Sequence, residues 1–97
     1  MTEAELENFK KKLSESMSFP SVYMFKFIVQ SENRSIALVE SLFDAGADIH
    51  TKESGQGRYT SITAKQVVVN VDEVIEVYKK AALIKGIMFL WMLFNDF

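Results

Sequence analysis

The stretch Glu53–Ala64, ESGQGRYTSITA, decides how this chain is read. A glycine pair, a basic residue and a tyrosine lead into alternating hydroxyl and apolar residues. A phosphate-binding loop would hold its anion with backbone N–H groups at the start of a helix. Gly55-Gln56-Gly57 runs instead into a β-branched segment and lacks the Gly-Lys-Ser/Thr ending of such loops. The stretch therefore reads as a turn followed by a strand. Ser54–Gly57 reverses the chain, with glycine supplying positive φ, and Arg58–Val69 runs extended. Thr60, Ile62 and Ala64 then point one way, and Tyr59, Ser61, Thr63 and Lys65 the other. Val67-Val68-Val69 interrupts this alternation, which predicts a bulge or strong twist near Gln66.

On the N-terminal side of the turn, Ala47–Glu53 reads as the partner strand of a hairpin. Before it, Ser31 or Asn33 is placed to cap a helix running to about Ala45. Ile36, Val39, Leu42 and Phe43 form its apolar stripe, and Gly46 is its expected left-handed stop. Further back, VYMFKFIV (Val22–Val29) is rich in β-branched and aromatic residues and follows Pro20, as a strand should. Tyr23, Phe25, Phe27 and Val29 share one face. Met24, Lys26 and Ile28 share the other, and the lysine marks that face as partly wet. At the N-terminus, Thr2-Glu3-Ala4-Glu5 has the form of a capping box, and Leu6, Phe9 and Leu13 follow at helical spacing.

Beyond the long strand, Asn70-Val71-Asp72-Glu73 is a second capping box, with Val69 and Val74 at the positions of a hydrophobic staple. Val74, Val77, Tyr78 and Ala81 face one side of a helix ending near Leu83, and Ile87–Leu93 reads as a last strand. The order is one helix, then β-α-β-β-α-β. With right-handed crossovers this predicts an α+β fold, the ferredoxin-like βαββαβ sandwich. Two helices cover one face of a four-stranded antiparallel sheet, and an additional amphipathic N-terminal helix occupies residues 1–18. The domain proper spans residues 19–97.

The 97 residues suffice for one domain, with 48% hydrophobic and 25% charged residues. The formal net charge of −2, with no basic block, argues against nucleic acid as the partner. There is no cysteine, which excludes disulfides, thiolate metal sites and cysteine nucleophiles. The N-terminus is too polar for a signal peptide, and the longest apolar run, Ile87–Phe94, is too short for a membrane span. The expectation is a soluble cytoplasmic protein.

At this point the residues resemble a known family. Phe19-Pro20, Tyr23 and Lys26, Ser54-x-x-Gly57-x-Tyr59-Thr60-Ser61, and Val77-Tyr78-Lys79 look like the YbeD-like family of small bacterial proteins, a domain of unknown function. The resemblance spans roughly Phe19–Leu90. It implies the ferredoxin-like fold, similar to the ACT domains that regulate metabolic enzymes by binding amino acids. It implies no established activity, substrate, cofactor or catalytic residue. The chain departs from the family pattern at Val29-Gln30, where a glycine is common, and in one extra residue in the Ser–Gly turn. The first helix and the tail after Leu90 look like additions.

Few residues invite a specific chemistry. An RNA-recognition sheet stacks bases on aromatics of its central strands, and Tyr59 is one platform, but Ser61 stands where a second belongs. His50 is the sole histidine, with no donor spacing for a metal site. No motif sets a nucleophile beside a base, so an enzyme is not expected, and neither a cofactor nor a metal is called for. What stands out is the sheet face that the helices leave open. Met24, Lys26, Ile28, His50, Arg58, Tyr59 and Ser61 are its candidate ligand or interface residues. Its apolar members call for a cover. The first helix, another copy of the chain in a homodimer, or a protein partner can supply one, and Trp91–Phe94 with Phe97 can reinforce it. Lys26, His50 or Arg58 would alternatively meet a small anionic ligand.

Overall fold

The computed structural model describes residues 2–89. The hairpin that anchors the sequence reading forms as expected. Gly57 takes φ 68°, and its N–H donates to the Ser54 carbonyl at 2.8 Å. Ser54 N–H donates to the Tyr59 carbonyl at 2.8 Å, closing the loop. A side chain at Gly57 would strain this left-handed backbone.

The turn joins β2 (Asp48–Glu53) to β3 (Tyr59–Val68), which lies antiparallel to β1 (Ser21–Gln30) on its other side. Three helices complete the fold: α1 (Glu3–Ser16), α2 (Asn33–Glu40) and α3 (Val71–Ala81). A two-residue segment, Met88–Phe89 (β4), pairs antiparallel with Ile28 and Phe27 on the free side of β1. The remainder of the expected last strand, and the Trp91–Phe94 and Phe97 tail, lie outside the described residues. The chain is an α+β protein built on three antiparallel strands. Among the described residues no helix is long and apolar enough to cross a membrane.

The core forms where strand alternation meets helix stripes. Tyr23, Phe25, Phe27 and Val29 of β1 and Thr60, Ile62, Ala64 and Val68 of β3 are all buried on one sheet face. Val74, Ile75, Val77, Tyr78 and Ala81 of α3, and Val39 of α2, close over them. The rings interlock: Phe25 lies 4.6 Å from Tyr23, 5.3 Å from Phe43 and 5.6 Å from Tyr78 between centroids. Each such buried side chain is worth about 1.5–3 kcal/mol. The one buried polar residue in this set, Thr60, shares a hydrogen bond of 2.8 Å with the Ser31 hydroxyl.

Several expectations are corrected. The β1–β3 register runs without a break from Ser21↔Val68 to Gln30↔Tyr59, so there is no bulge near Gln66. Gln66 keeps the alternation by turning inward at the rim, where its side-chain carbonyl accepts from Asp44 N–H at 3.1 Å. That hydrogen bond lets a polar residue take an inward position. α2 stops at Glu40 rather than near Ala45, and its N-cap is Glu32, with no side-chain cap bond. Ser31 is committed to Thr60 instead, and Gly46 is not left-handed. Val69 is mostly exposed and makes no staple, while Glu73 reaches back to accept from Val69 N–H at 3.1 Å.

For α1 the sequence leaves several seats open. Its capping box forms as read, with Thr2 and Glu5 each accepting from the other's N–H. The helix does not cover the open face of the sheet. Phe9 and Leu13 are buried in the same core as α3, and the Phe9 ring meets Tyr78 edge-on at 5.3 Å. Lys10 reinforces this seam through a 2.8 Å ion pair with Asp72.

Candidate functional site: the outer face of the sheet

With the helices gathered on one side, strand pleating sends every second residue to the other. The registers arrange these residues in cross-strand rows. Val67 stands opposite Val22, and Lys65 lies between Asp48 and Met24. Thr63 lies between His50 and Lys26, and Ser61 between Lys52 and Ile28, with Met88 beyond Ile28. Tyr59 and Gln30 form the last row.

Six of the seven residues read from the sequence fall on or at this surface: Met24, Lys26, Ile28, His50, Tyr59 and Ser61. Arg58 sits just beyond it, exposed, with its carbonyl accepting from Ser31 N–H at 3.1 Å. The described part of the face mixes apolar and basic residues, in keeping with the partly wet face expected from Lys26. Val22 and Val67 are 60% and 61% exposed and Met88 is 44% exposed, while Lys26 divides Met24 from Ile28 along β1. Sequence reading missed Val22 and Val67 as members of this surface, and it set Lys65 on the side of Tyr59 and Ser61 without naming it or Lys52 as a candidate. Plain alternation from Tyr59 to Val67 finds Val67, and only the bulge reading had set it aside.

Three of the polar side chains are engaged within the sheet. His50 Nε2 lies 2.9 Å from Asp48 Oδ1, both side chains being mostly exposed. The Ser61 hydroxyl donates to the Lys52 carbonyl at 3.4 Å. His50 stands opposite Thr63, and Ser61 opposite Lys52, so pairing does not join histidine and serine as nucleophile and base. At the hairpin end, Ile28, Lys52, Glu53, Ser54, Tyr59 and Ser61 line a shallow recess of about 190 Å³. Among the described residues no three His, Asp or Glu side chains are grouped to hold a metal ion.

The strongest titration shifts lie on the opposite side of the sheet. Tyr23 and Tyr78 share a buried hydrogen bond of 3.1 Å between hydroxyls. Burial pushes both phenols above their ordinary range, Tyr78 further because a second phenolate would lie beside it. Both tyrosines are buried in the core, and neither lines the recess of the outer face.

Comparison with known proteins adds a family without an assigned role. A family described as "Protein of unknown function (DUF493)" matches residues 14–90. The chain is 30% identical over 80 residues to a UPF0250 protein of Shewanella halifaxensis, covering 78% of this chain and 91% of that one. It is 28% identical to the corresponding protein of Shewanella piezotolerans and 30% identical to that of Shewanella putrefaciens, with the same coverage. No solved structure matches significantly.

Proposed function

The chain belongs to the DUF493 family of proteins of unknown function, and from its geometry we propose a non-enzymatic regulatory or protein-interaction module that works through its outer sheet face. In this reading the fold is a ferredoxin-like sandwich over residues 19–97, with residues 1–18 adding α1 to its helix layer. The strand order β2-β3-β1-β4, with Met88–Phe89 opening the fourth strand, supports that fold.

One observation carries the functional reading. All three helices contribute buried residues to the core on one side of the sheet, while Val22, Met24, Val67 and Met88 share the other side with large exposed fractions. Apolar side chains gathered on one exposed face normally mark a contact surface. The occupant is a protein partner or a second copy, and β2, an edge strand, offers a further route to a homodimer. The test compares wild type with an Ile28→Asp/Val67→Asp variant in light scattering and partner capture. The reading expects association to be lost while circular dichroism stays the same. Association unchanged in the variant would defeat it.

The recess at the hairpin end favours a second reading, a sensor for a small anionic metabolite or amino acid held by Lys52 and Tyr59. A ligand present well above its Kd raises Tm. A thermal-shift screen of amino acids and acidic metabolites with no hit would dismiss this reading.

A further inference from the structure

We propose that the outer face receives an extended acidic polypeptide segment carrying a carboxylate at every second residue. This rests on the reading of that face as an interaction surface and names the chemistry of its partner. The argument begins with charge. The chain carries a formal net charge of −2, yet among the described residues the cross-strand rows of this face hold Lys26, Lys52 and Lys65 against Asp48, with Glu53 at the recess on their rim. Asp48 is already engaged by His50 at 2.9 Å. The face is thus basic on an acidic molecule, the arrangement that steers an oppositely charged partner to one surface.

Register supplies the geometry. The three lysines occupy three successive rows, one to a row and each on a different strand. Lys65 shares its row with Met24, Lys26 with Thr63 and His50, and Lys52 with Ser61, Ile28 and Met88. Successive rows on one face lie about 6.6–6.8 Å apart, the spacing of alternate side chains in an extended segment. Such a segment laid along the strands turns one carboxylate toward each row, where it meets a lysine, and the methylene stems of those acidic side chains can rest on Met24, Ile28 and Met88.

Other occupants fit less well. A second copy docked face to face would oppose six lysines with two aspartates, and buried like charges disfavour that contact. A single-stranded nucleic acid gains affinity by stacking bases on aromatics. Among the described residues of this face only Tyr59 is aromatic, with Gln30 opposite it.

The experiment titrates the ¹⁵N-labelled full-length chain with three probes: a soluble peptide alternating Glu and Leu, a single-stranded oligouridylate, and vesicles containing phosphatidylglycerol. The peptide is expected to shift the amides of Met24, Lys26, Ser61 and Thr63. Its affinity should fall about tenfold as salt rises from about 50 to about 200 mM. The exposed-site double variant K52E/K65E should bind at least about tenfold more weakly, while K79E/K80E on α3, with the same charge change, binds like wild type. Equal binding by K52E/K65E, shifts confined to the helix layer, or a response only to the oligouridylate or the vesicles overturns the proposal. If Ile28→Asp abolishes association and K52E/K65E does not, the interaction surface stands and the acidic partner falls. If no variant and no probe alters the outer face, both readings fall.

Discussion

The two sides of β1 differ sharply in burial. Tyr23, Phe25, Phe27 and Val29 are buried to 8% exposure or less, while Val22 is 60% exposed and Met24 37%. All belong to one strand and share one backbone ladder with β3. Sheet formation alone therefore does not require the inner residues to be aromatic, because aliphatic and basic residues hold the same ladder on the outside. The inner rings are needed for the helix layer. Phe25 and Phe27 each meet Phe43 after α2 and Tyr78 on α3, so each ring holds more than one element in place. The outer side chains hold no helix and are open to another role.

This contrast is tested most severely at Phe25, which is fully buried. Phe25→Ala should cost about 3–5 kcal/mol, much of the total stability of a small domain. Urea denaturation would then give a midpoint near zero or no folded baseline. A loss below about 1 kcal/mol would show that the aromatic cluster is not what joins the layers. Phe9→Ala is the next largest change, at about 3 kcal/mol, because Phe9 is 2% exposed and packs on Tyr78. A detachable α1 would instead leave the denaturation midpoint unchanged.

Much of this arrangement was legible in the sequence, for physical reasons that also explain the failures. Strict alternation in Val22–Val29 names the buried face of β1 residue by residue, since a pleated strand offers only two sides. Two residues set the hairpin: Gly57, which needs positive φ, and Ser54, whose hydroxyl also accepts from Tyr59 N–H at 3.2 Å. The run Val67-Val68-Val69 misled the reading because three apolar residues in a row were taken as a break in the alternation, whereas Val67 points outward and Gln66 takes the inward position with a hydrogen bond from Asp44, distant in sequence. The seat of α1 was hidden for a similar reason. An amphipathic stripe of Leu6, Phe9 and Leu13 tells that a helix will bury one side and does not tell against what. For the outer face, Met24, Ile28 and Tyr59 were found by parity. Its basic character emerges only when registers bring Lys26, Lys52 and Lys65 from three strands together.

A smaller effect sharpens the contrast inside the core. The Tyr23–Tyr78 hydroxyl pair is the polar counterpart of the ring cluster. Tyr78→Phe removes that bond from the Tyr23 hydroxyl and should cost about 1 kcal/mol. In a double-mutant cycle, Tyr23→Phe/Tyr78→Phe should cost less than the sum of the single changes. The pair also predicts a pH dependence. Both phenols have folded pKa values raised above the ordinary tyrosine value of 10.0. The unfolded chain therefore loses these protons first, and stability that is full below pH 10 declines as pH rises past it. Tyr78→Phe should flatten that decline in urea midpoints measured on either side of pH 10. An equally steep decline in the variant would place its origin elsewhere.

The smallest expected effect belongs to the outer face, and it is the most discriminating. Val67 is 61% exposed and stands opposite Val22 in the β1–β3 ladder. Val67→Thr keeps the β-branched shape that suits a strand and replaces one methyl by a hydroxyl. On a surface open to water that change should move stability by no more than about 0.5 kcal/mol in either direction. A hydroxyl forced into an apolar contact without a partner costs about 1–3 kcal/mol, a difference that urea denaturation resolves. A loss of that size would mean that Val67 is enclosed within the single folded chain. The outer face would then be a second core surface rather than a docking surface, and the asymmetry between the two sides of β1 would vanish with it.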